Sequence, residues 1–127
     1  MLIAQITDTH IKRAGELIYR KVDTLPMLEN AVAQLNRLDP APDIVLLTGD
    51  LVDSGDPGEY ARLRAAIAKL KQPVYAIPGN HDDRAAFRAA FADRAYLPGS
   101  GEHLHYTVED WPVRLLALDT LVPGDVG

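Results

Sequence analysis

Three short clusters hold the residues able to do chemistry: Asp8-Thr9-His10, Gly49-Asp50 and Gly79-Asn80-His81-Asp82. Asp8 and His10 alternate, so an extended segment would aim both side chains the same way. Asp50 brings two oxygens and can bridge two cations. Asn80 offers a neutral carbonyl oxygen, and His81 a ring nitrogen with a proton to give. Oxygen and nitrogen donors without sulfur suit iron(II), manganese, cobalt or zinc. Two such ions about 3.5–4 Å apart form the usual device for in-line displacement at phosphorus. Gly49 and Gly79 permit the close backbone approach that such a site needs. Singly, each cluster is weak. An isolated Asp at a strand end most often caps it, and Gly-Asn alone is most often a turn. Their shared order and placement favour a metal site.

That placement comes from the elements around them. Residues 2–7 form a short apolar run, an expected buried strand, and residues 9–23 a long polar loop. Asp23 or Thr24 is expected to cap a helix with Pro26 in its first turn. Leu28, Ala31, Val32, Leu35 and Leu38 recur at three- and four-residue steps, one helical face. Asp39-Pro40-Ala41-Pro42 stops that helix and leads into a second strand over residues 43–48. Asp56-Pro57-Gly58-Glu59 reads as a capping box with Pro at the first helical position. Tyr60, Leu63, Ile67 and Leu70 supply the next stripe. Pro73 opens a third strand over residues 74–77. Asp82 or Asp83 caps a third helix carrying Phe87, Ala90 and Phe91. After a loop over residues 92–102, residues 104–108 and 113–118 predict a hairpin around Glu109-Asp110-Trp111-Pro112. Strands alternating with amphipathic helices predict an α/β fold, a parallel sheet with right-handed crossovers. Each chemical cluster follows directly on an expected strand. In open α/β sheets ligands bind beyond the carboxyl ends of the strands, so the three clusters can meet.

Composition narrows the classes. The chain has 127 residues, 47% hydrophobic and 24% charged, enough for one compact domain with a core. With 13 Lys+Arg against 18 Asp+Glu, the formal charge is −5, which argues against nucleic acid as a partner. The absence of cysteine excludes disulfide scaffolds, thiolate zinc sites and cysteine nucleophiles. Met1–Ile6 leads straight to Asp8 without a basic region, so no signal peptide is expected, and no apolar run approaches the ~20 residues of a membrane span. A cytoplasmic location is the expectation. Lys12, Arg13, Arg20 and Lys21 could steer an anionic substrate, although a solvated loop carries such charges in any case. Arg62, Arg64, Lys69 and Lys71 read as the wet face of the second helix, and Trp111 as a cover for the hairpin.

Asp-x-His, Gly-Asp and Gly-Asn-His-Asp in this order resemble the first three blocks of the calcineurin-like metallophosphoesterases. Within them the chain looks most like the bacterial class III cyclic-nucleotide and glycerophosphodiester phosphodiesterase branch. The opening Met1–His10, the loop Gly15-Glu16-Leu17-Ile18-Tyr19 and Asp119-Thr120 after an apolar strand carry that likeness. The resemblance implies an α/β/β/α sandwich, of which residues 1–127 would be the N-terminal part. It implies two divalent metal ions, with Asp8 and His10 on one, Asp50 bridging, and Asn80 on the other. It implies that a metal-bound hydroxide attacks phosphorus while His81 contacts the reacting phosphate or its leaving oxygen. Asp53 matches the carboxylate that orients that histidine. Ser54 stands where related protein phosphatases have a phosphate-gripping arginine, which favours a monoanionic diester over a dianionic monoester. The expected substrate is a small-molecule phosphodiester, a 3′,5′-cyclic nucleotide or a glycerophosphodiester. A homo-oligomer is expected from the branch. Further histidine ligands, at least two, are expected beyond Gly127, so residues 1–127 alone are expected to be inactive. His103-Leu104-His105 lacks the preceding glycine of the family's Gly-His-x-His block and reads as an ordinary hairpin pair. A non-catalytic scaffold of the same fold and a nuclease of the same superfamily are the alternatives. The first usually lacks ligands that are present here, and the acidic balance disfavours the second.

Overall fold

The computed structural model describes residues 1–124. Residues 125–127, the end of the expected N-terminal segment, lie outside the described residues. The elements are β1 (Ile3–Ile6), α1 (Leu25–Leu35), β2 (Ile44–Thr48), α2 (Pro57–Ile67), β3 (Val74–Ile77), α3 (Arg84–Ala90), β4 (Tyr106–Val108) and β5 (Leu115–Ala117). The first three strands form a parallel sheet in the order β1-β2-β3, with Ile3 opposite Ile44 and Val45 opposite Val74. β4 and β5 pair antiparallel as a separate ribbon. The α/β alternation and the hairpin are as the sequence predicts.

Period-two alternation divides the parallel sheet into two faces. Ala4, Ile6, Val45, Leu47, Val74 and Ala76 share one face and join one core with Leu28 and Val32 of α1, Tyr60 and Leu63 of α2 and Phe87 of α3. The other face turns toward the hairpin. Leu46, Tyr75 and Ile77 there border Tyr106, Val108 and Leu115 across an apolar crevice of about 210 Å³. β3 is an edge strand, and its outward amide and carbonyl at Ala76 are met by the hydroxyls of Tyr96 at 3.1 Å and Tyr106 at 2.9 Å. Unpaired edge groups are thereby satisfied by side chains. Trp111 does more than cover the hairpin. Its indole N–H donates to the Tyr75 hydroxyl at 3.2 Å and ties the ribbon to the sheet.

Four local expectations change. The first strand is not buried. The order β1-β2-β3 puts it at the rim, where Ile3 stays 40% exposed. α1 stops at Leu35, before Asp39, because Asn36 turns its amide to the Lys69 carbonyl at 2.7 Å and accepts from Lys71 N at 3.0 Å. Leu38 therefore falls off the apolar face. At the N-terminus of α1 it is Asp23 that accepts from Leu25 N, at 3.1 Å, while the Thr24 hydroxyl donates to the His10 carbonyl at 3.2 Å. Arg62 and Arg64 are not simply solvated. Arg62 binds the Lys12 carbonyl and lies 3.6 Å from Asp23, and Arg64 pairs with Asp93 at 2.7 Å over the Phe91 ring. The capping box at Asp56 and Glu59 forms as expected. Among the described residues no helix is long and apolar enough to cross a membrane.

Candidate metal centre

Beyond Ile6 and Thr48 the strands end, but the chains after β1 and β2 stay paired. Asp8 N donates to Gly49 O at 3.1 Å, His10 N to Asp50 O at 2.9 Å and Ile11 N to Leu51 O at 3.1 Å. The buried Thr9 hydroxyl adds a bond to Leu51 O at 2.6 Å. Asp8 and His10 do not alternate in an extended segment, as the spacing predicts. Asp8, His10 and Asp50 all adopt positive φ, at 55°, 40° and 49°. Asp and His tolerate this region better than most residues, but each still costs on the order of 1–2 kcal/mol. The paired loops enforce it, and three strained residues in one place make this crossing a candidate site.

The third loop arrives by close packing of glycines. A Cβ on Gly49, whose φ is +88°, would lie 2.9 Å from Gly79 Cα, and one on Gly79 would lie 2.4 Å from Asp50 N and Oδ1. Only glycines allow this crossing, and it lets His81 N donate to Asp50 Oδ1 at 3.0 Å. Asn80 sits exposed on the same turn between Gly79 and His81.

The donors converge on His10. Its Nε2 lies 3.9 Å from Asp8 Oδ1 and 3.8 Å from Asp50 Oδ2. Its Nδ1 lies 3.7 Å from Asp53 Oδ1, and its ring meets that of His81 edge-on at 4.7 Å. Asp8, His10 and Asp50 form one group of donors within 4.8 Å of one another, and His10, Asp53 and His81 form a second. Two donors on one ion, each about 2.1 Å away, stand at most about 4.2 Å apart. The three distances from His10 to the carboxylates of Asp8, Asp50 and Asp53 fit that limit, and the donor types suit a divalent transition metal.

Asp53 serves His81 by a different route from the expected one. His81 Nδ1 meets the Asp53 backbone carbonyl at 2.8 Å. The Asp53 carboxylate instead faces His10 and holds Lys12 Nζ at 2.5 Å, which lifts the pKa of that ammonium above its ordinary value. The reason is the loop's path. Asp53 N donates to Ile11 O at 3.2 Å, which lays Asp53 beside the Asp8–Lys12 loop. Ser54 is bound to Glu59 through its amide at 2.9 Å and its hydroxyl at 3.0 Å and adds no charge to the site.

Asp82 has a part that the cap assignment missed. Asp83 caps α3, accepting from Ala86 N at 2.8 Å. Asp82 is buried beneath the loops. Its Oδ2 accepts from Leu51 N at 3.2 Å and Gly79 N at 2.9 Å, and its Oδ1 from the Tyr60 hydroxyl at 2.7 Å. Burial pushes its carboxyl pKa up despite these bonds, and burial followed by the Asp82 charge pushes the Tyr60 phenol up as well. One side chain thus ties the Gly49-Asp50 loop, the Gly79–His81 turn and α2 together. The signal in the sequence was the doubled Asp82-Asp83, one more carboxylate than a cap requires.

The site opens into a cavity of about 500 Å³. His10, Asp50, Asp53 and His81 form one side of it, and Leu17–Arg20 of the long loop form another. His103 and His105 belong to a different cluster. Their rings stack at 4.9 Å, His103 Nδ1 lies 3.3 Å from Arg84, and His105 Nδ1 accepts from Asp119 N at 2.9 Å. Buried Asp119 is held by Arg84 at 2.6 and 2.9 Å. Burial pushes its carboxyl up, but Arg84 and the amides of Leu104 and Leu121 outweigh this and hold it below the ordinary value. Neither histidine falls in a donor group among the described residues.

A family model described as calcineurin-like phosphoesterase matches residues 1–125. A probable glycerophosphodiester phosphodiesterase of Arcobacter nitrofigilis is 38% identical over 124 residues, covering 98% of this chain and 45% of that protein. A cAMP/cGMP dual specificity phosphodiesterase of Mycobacterium tuberculosis is 35% identical over 127 residues, covering 97% and 39%. A 3′,5′-cyclic adenosine monophosphate phosphodiesterase of Pseudomonas aeruginosa is 31% identical over 126 residues, covering 99% and 44%. The chain spans less than half the length of these curated relatives.

Proposed function

Since the chain belongs to the calcineurin-like phosphoesterase family, we propose that it contributes the metal-binding loops of a phosphodiester hydrolase acting on glycerophosphodiesters or 3′,5′-cyclic nucleotides, the substrates in its relatives' names. The observation that carries this reading is the meeting of Asp8, His10 and Asp50 from two separate strand ends, with His10 Nε2 3.9 and 3.8 Å from an oxygen of each carboxylate. Asp8 and His10 would hold one divalent cation, Asp50 would serve it and a second, and Asn80 would help to hold the second. Such ions supply Lewis-acid polarisation of the phosphoryl oxygens and a strong nucleophile from water at neutral pH. The second ion would have only Asp50 and Asn80, fewer than the about three protein ligands a catalytic ion takes. The remaining ligands would come from outside these loops.

The chain's own side chains do the rest. His81, fixed by the Asp53 carbonyl at Nδ1, turns its Nε2 to a proton's use at the leaving oxygen. The Asp53 carboxylate faces the His10 ring and is itself held by Lys12. No arginine stands at Ser54, and Lys12 is neutralised by Asp53, so the described residues suit a monoanionic diester better than a dianionic monoester. With five more acidic than basic residues, a small-molecule diester fits better than a nucleic acid.

The test is metal analysis and turnover of the full-length protein. Metal-free protein given manganese should take up two ions and hydrolyse bis(p-nitrophenyl) phosphate. Asp50→Ala should lose both ions and the turnover together, because one carboxylate serves both. Full turnover in Asp50→Ala, or no metal uptake by the unmodified protein, would sink the reading.

A further inference from the structure

The cavity has a wall that the metal chemistry does not use. Leu17, Ile18, Tyr19 and Arg20 line it together with the donor residues. These residues form a tight turn. Ile18 N and Val22 O bond at 2.8 Å, Val22 N and Ile18 O at 3.1 Å, and Lys21 N donates to Ile18 O at 2.9 Å. Tyr19 and Arg20 both adopt positive φ, at 49° and 57°. Turns with two such central residues ordinarily take Asn-Gly or Gly-Gly. Here the chain carries two large side chains at that strained place. Tyr19 is 89% exposed, so packing does not account for it.

The cations of the loop separate by their partners. Lys12 is paired with Asp53 and Arg13 with Asp56. Arg20 and Lys21 have no ion pair among the described residues, and of these two only Arg20 lines the cavity. An unpaired guanidinium beside an exposed phenol ring, both on a hydrogen-bonded turn, is a preformed surface for a flat, non-cationic group. Guanidinium and phenol faces both stack on planar heterocycles. The same guanidinium repels an ammonium group placed against it. A volume of about 500 Å³ accommodates a ligand of nucleotide size.

We propose that the Tyr19–Arg20 turn is the specificity element of the site, binding the alcohol-side substituent of the diester and selecting a nucleobase over a cationic headgroup such as choline. The inference rests on the phosphodiesterase reading, which it narrows to nucleotide diesters. The turn's hydrogen-bonded backbone is already ordered, so binding has only the side chains to order, which lowers the entropic cost of recognition.

The experiment uses the full-length, manganese-loaded protein with 3′,5′-cyclic AMP and glycerophosphocholine as substrates, and adenosine as a phosphate-free probe by calorimetry and competitive inhibition. Tyr19→Ala and Arg20→Ala should each raise KM for cyclic AMP roughly tenfold, the effect of losing one stacked base contact, with kcat within twofold. Adenosine should bind the unmodified protein and bind both variants about tenfold more weakly. Arg20→Ala should also raise kcat/KM on glycerophosphocholine several-fold. Tyr19→Phe should behave as the parent, and Lys21→Ala, off the cavity wall, should change neither substrate. Unchanged KM in both alanine variants, a fall in kcat instead, or a parent that prefers glycerophosphocholine overturns the proposal while leaving phosphodiester hydrolysis standing. A parent that hydrolyses no diester removes the underlying reading. In that case adenosine binding lost in Tyr19→Ala and Arg20→Ala still supports the turn as a nucleobase site, and its absence from the parent overturns it.

Discussion

Replacing Asp82 by alanine tests whether one buried carboxylate holds the two loops of the site together. Its oxygens accept the amides of Leu51 and Gly79 at 3.2 and 2.9 Å and the Tyr60 hydroxyl at 2.7 Å. Leu51 and Tyr60 are 0% and 1% exposed, so water does not readily replace the lost acceptor. A net hydrogen bond contributes about 1 kcal/mol, and a buried donor left unpaired costs 1–3 kcal/mol. Three donors therefore give about 3 kcal/mol or more. The desolvation that raises the Asp82 pKa works against this and keeps the total near the lower figure. Asp82→Asn keeps an acceptor for both amides and turns its NH2 toward the Tyr60 oxygen, so its cost should stay below about 1 kcal/mol. In urea, with m about 2 kcal/mol/M, alanine should lower the midpoint of the full-length protein by roughly 1.5 M and asparagine by less than about 0.5 M. Manganese affinity should follow, falling at least about tenfold in Asp82→Ala, because Gly79 carries Asn80 and His81. Equal loss in the two variants would show that the charge matters and not the hydrogen bonds. A loss under about 0.5 kcal/mol in alanine would refute the clamp altogether.

Gly79→Ala puts a Cβ 2.4 Å from the Asp50 amide, so it should cost about 1–3 kcal/mol and release metal, read by thermal melting and metal analysis of the dialysed protein. His81→Ala should lower diester turnover about 10²–10⁴-fold with metal content retained, and diesters with good leaving groups should suffer least because they need least proton donation. Asp53→Asn keeps the carbonyl that holds His81, so it should weaken metal binding through His10 more than it slows the loaded enzyme, a split that metal titration against kcat resolves. Asp119 has a depressed pKa, so its contribution is present above the unfolded value of about 3.8 and is lost as pH falls through the lower folded value. Asp119→Asn should therefore cost about 3 kcal/mol at pH 7 by leaving Arg84 unpaired, and that deficit should shrink below pH 4 in denaturant titrations; a constant deficit from pH 7 to pH 3 refutes the assignment.

Much of the frame was legible in the residues themselves. Apolar runs of four to six residues, separated by stripes at helical spacing, are local patterns, and β2, α2 and β3 lie where those patterns put them. The capping box at Asp56 and Glu59 is equally local and forms as read. The three clusters at strand ends were expected to meet, and Asp8, His10, Asp50 and His81 do lie together, because a parallel sheet brings successive strand ends together. What the sequence did not determine depends on contacts between distant segments. The positive φ of Asp8 and His10 arises from pairing with residues 49–51, not from their own spacing. The place of β1 at one rim of the sheet is not encoded by alternation along one strand. Which of Asp82 and Asp83 caps α3 and which clamps the loops was settled by burial against Tyr60, 22 residues away. The Asp53 carboxylate points to His10 and Lys12 because its loop lies against Ile11, and so only its carbonyl reaches His81. Residue types and short spacings select the chemistry available to this chain; which atom meets which is set by the crossing of loops that are tens of residues apart.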